Sequence, residues 1–186
     1  MTRPADPAAL HDPGGATRWS LPLGMRGDAV FSDCGRYRQR LIRDWTPADA
    51  VPRAILFCGM NPSTADALVQ DNTCAKETGR AMAMGFTRYL KGNVLDYRVT
   101  DPKLLPKDPA LACSPANLPA ILDMAAEAEL VVMAYGRLHP RYAPTVDGIV
   151  AALRATGRPL WCFGRNQDGS AKHPLYLRKD APLVPF

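Results

Sequence analysis

The sequence predicts an α/β protein in three layers, with a four-stranded, mainly parallel central sheet between helices and a β-hairpin ahead of it. Three observations carry this expectation. Four short apolar runs recur after residue 53, helix-like segments separate them, and turn residues follow each run. Strand and helix in alternation is the pattern of a parallel sheet covered on both faces. A length of 186 residues with 47% hydrophobic content suffices for one domain with a sizeable core.

Residues 1–28 are rich in Pro, Gly, Ala and Asp without a sustained period, and read as a flexible arm, leaving 29–186 as a single domain. The hairpin is AVFS (29–32), a turn at DCG (33–35), and RYRQRLIRDW (36–45), with Tyr37, Gln39 and Leu41 on one face. Arg36, Arg38 and Arg40 alternate with that face. They fit either a solvated edge strand protected from aggregation by charge or a ribbon that contacts phosphate.

The four buried strands are RAILFC (53–58), GNVLDY (92–97), LVVMAY (130–135) and RPLWCF (158–163). The first helix is TCAKETGRAMAM (73–84). The second, 114–129, opens with Ser114 as N-cap and Pro115 at the first helical position, and carries Leu118, Ile121, Leu122 and Ala125 at helical spacing. The third, 143–157, stops at Gly157, as helix C-termini often do.

In open sheets of this kind, ligands bind beyond the carboxyl ends of the strands. The segments just past those ends are 59–66, 98–102, 136–142 and 164–177. They hold Asn61, Asp66, Arg98, Asp101, Arg137, His139, Asn166, Asp168 and His173, most of the polar chemistry of the domain.

Composition narrows the partners. A net charge of +5 favours an anionic one, nucleic acid or a phosphorylated metabolite. Five scattered cysteines without a CxxC pair argue against a disulfide framework, a zinc site or an iron–sulfur cluster, and Cys58 and Cys162 read as core residues. No signal-like N-terminus and no membrane-length apolar stretch is present, so the expected setting is cytoplasmic and reducing. No phosphate loop, dinucleotide turn or HExxH motif occurs; the expectation is no cofactor and no metal.

GMNPS (59–63) after an apolar strand resembles the first motif of the uracil-DNA glycosylase superfamily, where a loop of the form G-x-(N/D)-P-x follows the first core strand. NVLDYRVTDPKLL (93–105) resembles the next strand and loop of the mismatch-specific branch. VVMAYGR (131–137), followed by KHPLYL (172–177), is similar to the superfamily's closing strand and His-Pro loop. NPSTAD, TDP and HPLYL together resemble a bacterial family of unknown function labelled DUF1643, over residues 29–186. One departure stands out: the glycosylases carry His-Pro-Ser-Pro and an intercalating residue, whereas Leu175 and Tyr176 follow His173 and Pro174 here.

The resemblance implies a DNA glycosylase-like hydrolase acting on the N-glycosidic bond of uracil or a modified pyrimidine in DNA. The alternatives are action on a free pyrimidine nucleotide, or base recognition without catalysis. Such chemistry leaves positive charge on the sugar and negative charge on base O2, so a catalyst must hold a water and stabilise an oxyanion. Gly59 lets the backbone approach the ligand and Pro62 stiffens the loop. Asn61 offers an amide oxygen to a water, and Asp66 or Asp71 is the carboxylate that could take its proton.

By resemblance His173 donates to the developing O2 charge and Asn93 reads the base edge. Tyr97 or Tyr135 offers a stacking face. Met60, Ser63, Arg98, Gly136, Arg137 and Tyr176 complete the expected binding surface. Each has a plainer counterpart: GMNP as a strand-ending turn, His173 as a loop residue, Asn93 as a backbone-satisfying amide, Asp66 and Asp71 as helix N-terminal carboxylates.

Overall fold

The computed structural model describes residues 6–186. Its strands are β1 (Trp19–Ser20), β2 (Arg26–Phe31), β3 (Arg38–Asp44), β4 (Ala54–Gly59), β5 (Val69–Gln70), β6 (Arg88–Asn93), β7 (Leu130–Met133), β8 (Leu160–Cys162) and β9 (Val184–Pro185). Four helices accompany them: α1 (Asn72–Ala83), α2 (Pro109–Ala112), α3 (Asn117–Glu127) and α4 (Ala143–Ala155).

The main sheet is mixed and seven-stranded, in the order β2-β3-β6-β4-β7-β8-β9, and β1 pairs β5 separately. β6, β4, β7 and β8 run parallel; β3 is antiparallel to β6, β2 to β3, and β9 to β8. The expected four-stranded sheet is therefore too small. The hairpin does not precede the sheet but extends it, and the C-terminus closes the other side.

β4 is buried along its whole length, and its alternation sorts the two faces. Ala54, Leu56 and Cys58 join the core beneath α3 and α4, while Ile55 and Phe57 join the core beneath α1. Each such Leu, Ile or Phe contributes about 1.5–3 kcal/mol by leaving water. Asp71 caps α1 by accepting from the Cys74 N–H at 2.8 Å. The second predicted helix begins later, at Asn117, because the Ser114 N–H and hydroxyl go to the Asp96 carboxylate and not to a helix end.

The strand expected at 92–97 is displaced toward the N-terminus. The hydrogen-bonded strand is β6, and Val94 to Asp96 are buried in a segment that lies outside the named strands. That segment lies along the loop after β4, with Val94 N donating to Gly59 O at 2.9 Å and Leu95 N to Met60 O at 3.0 Å.

β3 is likewise not an exposed edge. Arg38 and Arg43 are 1% and 0% exposed and donate to the carbonyls of Ala65, and of Ile42, Asp66 and Val69. β2 pairs the outer edge of β3 and the segment 65–69 lies over these guanidinium groups, which are enclosed but only partly satisfied: the Nε of each has no partner among the described residues.

Residues 6–28 run against the domain. Thr100 N donates to Pro13 O at 2.7 Å, the Thr64 hydroxyl to Thr17 O at 2.8 Å, and His11 Nε2 meets Arg98 O at 2.8 Å. Among the described residues no helix is long and apolar enough to cross a membrane.

Candidate functional site

A cleft of about 680 Å³ opens where β4 and β6 end, bounded by the loops that follow them, the start of α1, residues 15–17 and the segment 172–177. Its floor needs a glycine. A Cβ at Gly59 would collide with the Lys91 ammonium and lie 2.8 Å from Lys91 Cε and 2.9 Å from Asn93 Oδ1.

Asn61 stands in the wall with a determined amide orientation. Its Nδ2 donates to Val99 O at 2.6 Å and Pro62 O at 3.0 Å. The flipped amide would set oxygen against two carbonyls, so Oδ1 is the atom left for a ligand.

Asn93 is different. It is 0% exposed, it lines the cleft, and neither its Nδ2 nor its Oδ1 has a hydrogen-bond partner among the described residues. Its backbone is held separately, with Asn117 Nδ2 donating to Asn93 O at 2.9 Å. Two orphaned atoms on one buried amide are costly, at about 1–3 kcal/mol each, unless something in the cleft pairs with them.

His173 comes from the opposite end of the chain to the same cleft. Its Nδ1 accepts from the Leu175 N–H at 3.3 Å, which leaves the proton on Nε2. Desolvation, reinforced by the Lys91 charge, pushes its pKa down to about 4. The imidazole is thus neutral near pH 7 and offers an N–H donor. Gly136, at φ +71°, brings backbone close beside it: a Cβ there would lie 3.1 Å from His173 Cβ.

Beneath these groups lies an ion pair that the sequence leaves unmarked. Lys91 Nζ sits 2.9 and 2.8 Å from the two Glu77 oxygens, and the Tyr89 hydroxyl donates to Glu77 at 2.6 Å. Burial and the neighbouring thiol and carboxylate raise the Tyr89 pKa well above 10. Lys91 and Arg38 both border the cleft. For Lys91 the signal in the sequence is a cation among strand-forming residues, masked in RYLKGN by Arg88 at its start; for Arg38, one of three arginines in RQRLIRD, there is none.

Of the other expected site residues, Met60, Ser63, Arg137 and Tyr176 border the cleft, Tyr176 at the mouth with 84% exposure. The Ser63 hydroxyl meets that of Thr100 at 2.8 Å. Gly59 and Pro62 lie in the supporting backbone, where Pro62 O accepts from Val99 N at 3.0 Å.

Like Gly59 and Pro62, four more expected residues fall outside the cleft wall: Asp66, Tyr97, Arg98 and Tyr135, the last buried edge-on against Phe186. Asp66 accepts from the Leu68 and Val69 N–H groups at 2.7 and 3.0 Å, closing its own turn. Tyr97 packs edge-on between His11 and Tyr37. Arg98 is buried, with its Nη1 on the carbonyls of Ala8, His11 and Gly35 and its guanidinium over Phe31; desolvation lowers its pKa to about 10. Among the described residues no three His, Cys, Asp or Glu side chains converge on a metal-sized site, and all five cysteines are free thiols.

These features define a mixed α/β protein with a basic, amide-lined cleft at the carboxyl ends of parallel strands. The chain belongs to the family described as "Protein of unknown function (DUF1643)", which matches residues 36–175. That span contains Arg38, Asn61, Lys91, Asn93 and His173. No curated protein and no solved structure matches the chain.

Proposed function

We propose that this protein hydrolyses the N-glycosidic bond of uracil or a modified pyrimidine, in the manner of the uracil-DNA glycosylase superfamily that its motifs resemble. The observation that carries the proposal is the orphaned amide of Asn93, a buried donor and acceptor pair on a residue that lines the same cleft as the neutral imidazole of His173. A pyrimidine presents a matching acceptor and donor along its edge.

In this reading the bond between C1′ and the base nitrogen breaks, and its electron pair departs with the base. The Nε2–H of His173 stabilises the charge that collects on O2. Asn61 Oδ1 orients a water toward C1′, and the proton shed as the water adds goes to the departing base or to solvent. Asp66, committed to its own turn, takes no part. Asp71 borders the cleft, but one of its oxygens caps α1. A water oriented by an amide suits a reaction in which the sugar cation forms before the water adds.

Two carriers of the base fit. A DNA strand is supported by the net charge of +5 and by Arg137, Lys172 and Tyr176 around the cleft. A free nucleotide is supported by Leu175 and Tyr176, which stand where the superfamily carries its wedge, and by the wall that residues 15–17 add to the cleft.

The test offers oligonucleotides with uracil, mismatched thymine and hypermodified pyrimidines, followed by alkaline cleavage of abasic sites, in parallel with pyrimidine nucleotides analysed for free base. Base release should fall roughly a hundred-fold or more in His173→Ala and in Asn93→Ala. No release from any of these substrates rejects the activity.

A further inference from the structure

The geometry points to a phosphate subsite on the cleft floor, formed by Arg38 and the first turn of α1, that takes the terminal phosphate monoester of a nucleotide. This rests on the pyrimidine reading above and deepens it by naming the carrier of the base as a mononucleotide.

Arg38 is the starting observation. It is 1% exposed, it borders the cleft, and the one hydrogen bond of its guanidinium among the described residues is from Nη1 to Ala65 O at 2.7 Å. Among the described residues Nε is buried without a partner, Nη2 makes no hydrogen bond, and no carboxylate lies within ion-pair distance. A buried cation held by a single carbonyl is expensive unless an anion joins it. Lys91, the other buried cation of the floor, is already neutralised by Glu77 and gives no such opening.

The start of α1 faces the same space. Asn72, Thr73 and Cys74 border the cleft, and Arg38 and Lys91 are both near enough to act electrostatically on Cys74. Cys74 N is taken by Asp71, but the N–H groups of Asn72 and Thr73 have no acceptor among the described residues. Free amides at the positive end of a 12-residue helix, beside a guanidinium with unused donors, are the parts of an anion site. Asp71 is the one acidic side chain on the wall, against Arg38, Lys91, Arg137 and Lys172.

Depth decides which anion. The floor residues Arg38, Cys74, Lys91 and Asn93 are all buried. A phosphodiester continues in two directions and would need a second way out past them. A terminal phosphate needs none.

The test compares unfolding temperatures of the full chain in phosphate, methyl phosphate and dimethyl phosphate against chloride at matched ionic strength, which removes general screening. Phosphate and methyl phosphate should raise the midpoint by roughly 3–5 °C at about ten times their Kd, and dimethyl phosphate should not. Arg38→Gln should abolish the rise. The best of the pyrimidine 5′-monophosphates should act at roughly ten-fold lower concentration than methyl phosphate, the base adding its own contacts.

Because a buried variant can fail to fold, the wild-type amide signals of Asn72 and Thr73 give a second readout, and should shift on addition of phosphate. The inference is overturned by an absent rise, an equal rise with dimethyl phosphate, an unchanged rise in Arg38→Gln, unmoved amides, or equal potency of nucleotide and methyl phosphate. None of these readouts needs base release, so loss of the glycosidase reading and loss of the phosphate site are distinguishable results.

Discussion

His173 couples the site to pH through desolvation. Its pKa is held down to about 4 by burial and then by Lys91, against an ordinary value of 6.5. Between those two values the unfolded chain binds a proton on this residue that the folded chain does not, so stability falls as pH drops from 6.5 toward 4 and is unaffected by this group above 6.5. A shift of this size corresponds to a loss on the order of 3 kcal/mol once both forms have titrated. Urea unfolding at pH 7 and at pH 5 should therefore show a decline that is smaller in His173→Gln. If the decline is the same in the variant, the imidazole is solvated and the neutral-donor role goes with it. At this scale the sequence was legible in kind but not in detail. That Asn61 and His173 stand past strand ends follows from an apolar run breaking into Gly-Met-Asn-Pro and from a late His-Pro, whereas Asn93, expected in the site only by resemblance, reaches the carboxyl end because the strand is 88–93 and not 92–97. That Asn61 spends its nitrogen on two carbonyls while Asn93 spends nothing depends on the fold of 94–99, which local sequence does not specify.

At the scale of the element, the last residue of β4 is the constraint. Gly59 lies against the side chains of Lys91 and Asn93 on the neighbouring strand, so the floor of the cleft is set by how closely these side chains approach the β4 backbone. Gly59→Ala would push its methyl into Lys91, whose ammonium can yield only by stretching its two contacts with Glu77. The expected cost is about 1–3 kcal/mol, measurable as a lower urea midpoint, together with weaker ligand binding. An alanine variant with unchanged stability would mean that the floor is open at this point. The register of β6 shows why strands were only partly legible. GNVLDY is as buried as a strand, but hydrophobicity reports burial and not ladder hydrogen bonds, and its later half pairs with the Met60 loop. RYLKGN conceals the true strand because its cations are satisfied by partners distant in sequence, Arg88 by Asp44 and Glu127, Lys91 by Glu77. Arg38 and Arg43 are hidden for the same reason, since local alternation cannot register that the segment 65–69 lies over them.

Over the whole molecule, the cleft draws its walls from both ends of the chain. Residues 15–17 and 172–177 both border it, while the strands that form its floor lie between them in sequence. The segment 6–28 carries no apolar period, so composition marks it as an arm; its role in the wall arises from backbone groups, which no side-chain pattern announces. Arg98 shows the dependence most directly. Two of its three carbonyl partners, Ala8 and His11, belong to this segment, and His11 returns a ring nitrogen to the Arg98 carbonyl. Pro13 and Thr17 accept from Thr100 and Thr64, the residues that flank the cleft. Deleting residues 1–18 would strip these acceptors and leave Arg98 with Gly35 and solvent. At a net value near 1 kcal/mol for each of these five hydrogen bonds, the expected loss is about 5 kcal/mol, or roughly 10–20 °C in Tm for a chain of this size. Ligand affinity should fall as well, because one wall is removed while Asn61, Asn93 and His173 remain. A truncated protein that melts and binds as the full chain does would show that the segment only rests on the surface, and that the cleft is complete without it.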